Sequence, residues 1–150
     1  MKDRLVLIDT DVIVAALAEV HEHHAESLAL FDTDPPLTMA VAAHCYAEAF
    51  TTLTRRSQHA PFRWPPGEAW AALESNAAVT RLVGLTPAQS FAAVRDFAAA
   101  GNVGARISDH LIARAAQAAG ASILVTWNVA HFRGQIDGLD VRAPMRMLAD

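Results

Sequence analysis

In LVLIDTDVIVAAL, Leu5–Ile8 are all apolar, and two acids, Asp9 and Asp11, follow at once. Four apolar residues without alternation read as a strand buried on both faces of a parallel sheet. A carboxylate just past such a strand sits at the sheet's carboxyl edge, where open α/β sheets bind ligands. A third acid comes from the far end of the chain: Asp109 opens the helical stretch of ISDHLIARAAQAAGASILVTWN, which runs through Gly120 into another apolar strand. It shares a helical face with Ile112, Ala113 and Ala116, which turns it toward the protein. An inward carboxylate needs a cation or hydrogen-bond donors to offset its desolvation, and Lys2 is the one lysine available. Carboxylates delivered separately to one sheet edge therefore suggest a metal site. Asp9, directly after the strand, is the expected ligand, and Asp11 the expected helix N-cap or support for Asp9. The competing reading is that all three acids merely start helices, where acids are common.

The elements that must position these acids alternate between helical and extended. Helices are expected over 11–20, 22–31, 42–56, 68–77, 86–100 and 109–119, with strands over 5–8, 37–40, 79–85, 123–126 and 140–142. Residues 57–67 hold Pro61, Pro65 and Pro66 and read as a loop. Thr86 is an expected N-cap with Pro87 at the first helical position. Ser108 is an expected N-cap for the helix carrying Asp109, and Gly120 its terminator. Residues 128–132 fit one helical turn. Helices alternating with short apolar strands give an α/β fold, a short parallel sheet flanked by helices.

At 150 residues the chain is expected to be a single domain, able to bury roughly 70% of its unfolded surface. A hydrophobic fraction of 53% with 19% charged residues excludes a disordered chain. No apolar run reaches the ~18 residues of a membrane span, and the start lacks a signal peptide's apolar core. Cys45 is alone, so no internal disulfide can form, which favours a reducing, cytoplasmic setting. The net charge of −4 argues against a surface coated for nucleic acid but leaves room for a local basic strip.

Three segments, IDTDV at Asp9, YAEAFTTLTR at Glu48 and SDHLIARAAQAAGASILVTWNVAHF at Asp109, together resemble PIN-domain ribonucleases, and more closely VapC-type toxins of bacterial toxin–antitoxin modules. The resemblance spans nearly the whole chain and implies a PIN-like three-layer fold. It implies that Asp9, Glu48 and Asp109 are the metal-binding catalytic acids, with Asp11, Thr126 and Asn128 positioning water or phosphate. Asn128 stands where the family often has a fourth acid. Periodicity alone treats Glu48 differently: Tyr46, Phe50 and Leu53 define the helix's apolar face and leave Glu48 opposite, toward solvent. Oxygen ligands suit Mg²⁺ or Mn²⁺. The implied activity is metal-dependent endoribonuclease cleavage leaving a 5′-phosphate and a 3′-hydroxyl. Implied partners are RNA, a VapB-type antitoxin and a second copy of the chain. The alternative is a degenerate PIN-like domain that binds RNA or a protein without cutting, a reading that Asn128 keeps open.

Other residues are weighed beside these. Arg55, Arg56, Arg63 and Arg133 are candidate RNA-binding cations, and Trp64 and Trp127 candidate stacking platforms, though each type is also an ordinary surface or core residue. His21, His23 and His24 lack the i,i+4 pairing of a zincin helix and read as a polar helix start. Met145 and Met147 read as packing residues, and Cys45 as an unreactive thiol. Phe91, Val94 and Phe97 offer a face for a subunit contact or for the core. The Asp9-Thr10-Asp11 spacing also resembles haloacid-dehalogenase-type phosphatases, but the core lysine and later acidic pair of that chemistry are missing.

Overall fold

The computed structural model describes residues 4–148; Lys2 lies outside them. Five strands form one sheet: β1 (Leu5–Ile8), β2 (Thr38–Ala42), β3 (Arg81–Val83), β4 (Ile123–Val125) and β5 (Asp140–Arg142). Their order is β3-β2-β1-β4-β5 and every pairing is parallel. The central place goes to the most apolar strand, β1, whose Val6, Leu7 and Ile8 are buried, as are Ile123, Leu124 and Val125 of β4. A parallel sheet must be covered on both faces. The cover comes from α1 (Thr10–Leu17), α2 (His24–Ala29), α3 (Ala43–Thr54), α4 (Pro66–Ala78), α5 (Pro87–Ala99), α6 (Ile107–Ala119), α7 (Val129–Phe132) and α8 (Pro144–Leu148). The α/β expectation holds, with short strands flanked by helices. Among the described residues no helix is long and apolar enough to cross a membrane.

Register delivers the chain's acids to one edge. Ile8 pairs with Val125 and Leu7 with Ala40, so β1, β2 and β4 end side by side. The Asp9 N–H donates to the Val125 carbonyl at 3.0 Å, extending that ladder by one residue. Asp9 therefore sits at the carboxyl edge, as expected.

Several boundaries differ from the expectation for identifiable reasons. The first helix ends at Leu17, where Ala18 turns extended. The expected loop 57–67 is shorter, because α4 begins on Pro66, and a proline in a first helical turn has no needed N–H to lose. Ser108 is not a cap: a 3₁₀ turn, Gly104–Arg106, runs straight into α6 and leaves Ser108 inside its first turn. Thr86 does cap α5, with a reciprocal bond from its own N–H to the Gln89 side chain. Gly120 ends α6 at φ 77°, a left-handed turn that a side chain would strain. Nothing in the sequence reading anticipated α8.

Candidate functional site

Asp9 is held from two directions. Its Oδ1 accepts the Thr10 N–H at 2.7 Å and its Oδ2 accepts the Thr126 hydroxyl at 2.8 Å. The first bond makes Asp9 itself the N-cap of α1, so the cap expected at Asp11 falls to Asp9, and of the two roles expected for Asp11 only that of support remains. The reason is register: β1 stops at Ile8 and α1 starts at Thr10, leaving one residue for the turn. Asp11, in the first helical turn, reaches across to the segment after β4. Its carboxylate accepts the Trp127 N–H at 3.1 Å and the Asn128 side-chain amide at 3.1 Å, and lies 3.2 Å from the Thr126 hydroxyl. That hydroxyl has one proton, and the shorter distance gives it to Asp9. Thr126 in turn accepts the Asn128 N–H at 3.0 Å. Thr126 and Asn128, expected as supporting residues, thus form a clasp around both aspartates.

This clasp does not relieve the electrostatic strain. Asp9 is 5% exposed, and burial, with the Asp11 charge second, pushes its pKa up to about 8. Asp11 is also raised by burial, against the opposing bonds from Trp127 and Thr126. Among the described residues no ion pair reaches either acid.

Glu48 and Asp109 join from two further helices. Burial raises the pKa of Glu48, and the charges of Asp109 and Asp11 push the same way against His44. Asp109 is raised by burial and lowered by His131 and Arg106, and its charge also reaches Asp9. The four carboxylates therefore feel one another, although they come from two helix starts and one helix middle. Periodicity misplaced Glu48 because it counted large side chains. The buried face of α3 is Cys45, Ala49 and Leu53, and Glu48 flanks it, i+3 from Cys45. Small residues let α3 approach, so Glu48 is half-buried at the acids instead of solvated. Asp109 points inward beside the buried Ile112, Ala113 and Ala116, as its helical phase requires.

Three basic residues with no role assigned from the sequence sit at these acids. His44 Nε2 lies 2.9 Å from Glu48 Oε1, an i,i+4 pair visible in the sequence. His131 Nδ1 lies 3.5 Å from Asp109 Oδ2, and the charge of Arg106 acts on the same acid. Neither of these has a local sequence signal.

The residues suit a divalent cation in donor chemistry: all four acids offer hard oxygen, and their raised pKa values record burial first, with repulsion from neighbouring acids added at Asp9 and Glu48, a cost that a cation would relieve. Among the described residues, however, no three His, Cys, Asp or Glu side chains converge as a ready ligand set.

The remaining candidates separate clearly. Arg56 donates to the carbonyls of Arg63 and Trp64 at 2.8 and 3.1 Å, tying the proline loop to the end of α3. Arg55, Arg63 and Arg133 are exposed. Trp64 packs against the core. Trp127 stacks on His23, ring centroids 3.8 Å apart, and donates to the buried Ser27 hydroxyl at 2.9 Å. The histidine cluster is structural: His24 Nδ1 is 2.8 Å from the Ala15 carbonyl, and His21 accepts the His23 N–H. Cys45 is buried, and desolvation pushes its thiol up to about 12, consistent with an inert cysteine. On α5, Phe91 is 81% exposed and Val94 also faces out, whereas Phe97 is buried and leaves the expected trio.

A family model for the PIN domain matches residues 6–132. No curated protein sequence matches the chain significantly. Among solved structures, DNA-bound VapBC from Salmonella typhimurium is similar, with TM-score 0.63 and 18% identity over 94% of this chain and 98% of that one. VapBC-1 of nontypeable Haemophilus influenzae gives TM-score 0.62 and 17% identity over 94% and 98%. VapC20 of Mycobacterium tuberculosis, a sarcin–ricin loop cleaving toxin, gives 0.62 and 19% over 79% and 86%. At these identities the likeness is one of fold.

Proposed function

From the premise that the chain belongs to the PIN domain family, we propose that it is a single-domain, metal-dependent endoribonuclease, the toxin of a toxin–antitoxin pair. The observation that carries this reading is the cluster of Asp9, Asp11, Glu48 and Asp109, brought from distant parts of the chain to one sheet edge with raised pKa values. Perturbed titratable groups gathered at one place mark functional sites.

Asp9, Glu48 and Asp109 would hold Mg²⁺ or Mn²⁺. The ion, when bound, lowers the pKa of a water and neutralises charge on the scissile phosphate. The chain's own part is positional. Thr126 fixes the Asp9 carboxylate by its hydroxyl. Asp11 holds the Trp127 and Asn128 segment against α1, and with it the amide of Asn128 at the cleft. His131 and His44 orient Asp109 and Glu48. Hydrolysis leaves a 5′-phosphate and a 3′-hydroxyl.

The partner reading is supported by likeness to VapBC complexes. A VapB-type antitoxin would cover the acidic cleft, and a second copy of the chain would cover Phe91 and Val94, in the cytoplasm. Asn128, donating to Asp11 rather than adding a fourth charge, favours one alternative: a PIN domain that binds RNA without cutting it.

The deciding experiment offers a panel of single-stranded and structured RNAs to the purified protein in Mg²⁺ or Mn²⁺. Cleavage that EDTA and Asp9→Asn both abolish is the expected result. No cleavage by folded, antitoxin-free protein favours the binding-only domain, and cleavage that survives Asp9→Asn refutes the assigned site.

A further inference from the structure

Beside Asp109 the surface opens into a second concavity of about 600 Å³, between the end of α5, the start of α6 and the segment after α7. Its volume lies within the ~300–1,000 Å³ typical of small-molecule sites. The acidic cluster and this cavity share a wall: His131 lines the cavity and places its Nδ1 3.5 Å from Asp109 Oδ2.

The lining has a definite chemistry. Arg106 and Arg133 are exposed, and neither makes an ion pair among the described residues. The one acid in the lining, Asp96, is already taken by Arg95 at 3.1 Å and Arg114 at 3.2 Å. The cavity is thus a basic spot on a chain of net charge −4. Two rings line it as well, Phe97 and His110, with centroids 5.5 Å apart. Asn102 adds an amide able to read a base edge.

Exposed cations, a ring face and an amide are what a single-stranded nucleotide needs: charge for its phosphates, a face for its base and donors for its edge. We propose that this cavity is a nucleotide subsite, taking one unstacked nucleotide of a single-stranded RNA next to the acidic cleft, with Arg106 and Arg133 on the flanking phosphates. The proposal rests on the nuclease reading above. It moves the RNA contact away from Arg56, whose guanidinium holds a loop.

The test separates the two readings by measuring binding without cleavage. A fluorescein-labelled, mixed-sequence single strand of about 12 nucleotides is titrated with protein in EDTA, at several salt concentrations, and followed by anisotropy. A duplex of the same length is the comparison. The double variant R106Q/R133Q is expected to weaken single-strand binding about tenfold and to reduce the salt slope by ~1.4, two contacts at ~0.7 each. A second variant, A100L/A130L, changes exposed lining residues and fills the cavity without touching charge. It is expected to weaken single-strand binding about tenfold, the loss of one stacked base, with salt slope and duplex binding unchanged. If the wild type cleaves RNA but both variants bind like wild type, the subsite is overturned, the cavity passes to a protein partner or to none, and the nuclease stands. If the wild type neither binds nor cleaves RNA, both readings fall.

Discussion

Asp9→Asn should make the metal-free protein more stable, by an amount that depends on pH in a defined direction. The folded-state pKa of Asp9 is about 8 against an ordinary 3.8, chiefly from burial. Between roughly pH 4 and pH 8 the folded chain therefore holds a proton that the unfolded chain has released, and stability falls as pH rises through that window. At ~1.4 kcal/mol per pH unit, ionising Asp9 costs the fold on the order of 5 kcal/mol by pH 8. The replacing amide keeps an oxygen to accept from Thr10 but sets an NH2 where the Thr126 hydroxyl donates, so that bond loses its acceptor and the other loses its charge, a partial offset. The expected net gain is ~2–4 kcal/mol at pH 8, shrinking toward zero near pH 4. Urea unfolding of wild type and variant in EDTA, at pH 4.5, 6 and 8, measures this directly. Adding Mn²⁺ should then stabilise the wild type far more than the variant. A variant less stable than wild type at pH 8, or a difference that does not change with pH, would refute the argument that ionising the buried Asp9 carries a cost that a cation relieves.

Asn128→Asp replaces a donor to Asp11 by a further carboxylate, a fifth at the site. The metal-free protein is expected to lose ~1–2 kcal/mol and Mn²⁺ to bind more tightly, read by urea unfolding and by calorimetry; unchanged Mn²⁺ binding would count against a metal-facing position. Arg56→Ala removes two bonds that anchor the loop before α4. It should lower stability by about 1 kcal/mol and speed proteolysis within residues 57–65, while the salt dependence of RNA binding stays as in wild type. Phe91→Glu places a charge on the most exposed part of α5. Sedimentation should show a wild-type dimer and a variant monomer, and a wild type already monomeric at high micromolar concentration would remove the dimer reading. Cys45 should stay unmodified by a thiol reagent in the native state and react on unfolding, since it is buried with its pKa pushed up to about 12.

What the sequence made legible were features written in consecutive residues. The apolar run of β1 and the acid after it, the Thr86-Pro87 helix start and the Gly120 stop are local patterns, and local rules read them. Asp109 was readable too, because its inward phase follows from Ile112, Ala113 and Ala116 on the same helix. Glu48 was not, since the approach of α3 depends on small residues, Cys45 and Ala49, that carry little weight in a pattern of large apolar side chains. The cap assignment at Asp9 and Asp11 turned on a single residue of register. The roles of Thr126, Trp127 and Asn128 came from resemblance or were missed, because their partners lie a hundred or more residues away, at the cap of α1, in α1 and in α2.

That separation has a consequence for how the protein is made. The bond from Thr126 to Asp9 joins residues 117 apart, while β1, β2 and β3 are neighbours both in sequence and in the sheet. Strands that are close in the chain pair early, and long closures come late. As the chain leaves the ribosome, β1 can therefore be flanked on one side by β2 long before β4 exists to occupy the other. Throughout that interval Asp9 and Asp11 are present without the hydroxyl and amides that hold them, beside an open strand edge that invites wrong pairing. Asp9 and Asp11 are synthesised well before the segment that completes their site, so a growing chain carries ingredients of the chemistry before it carries the chemistry.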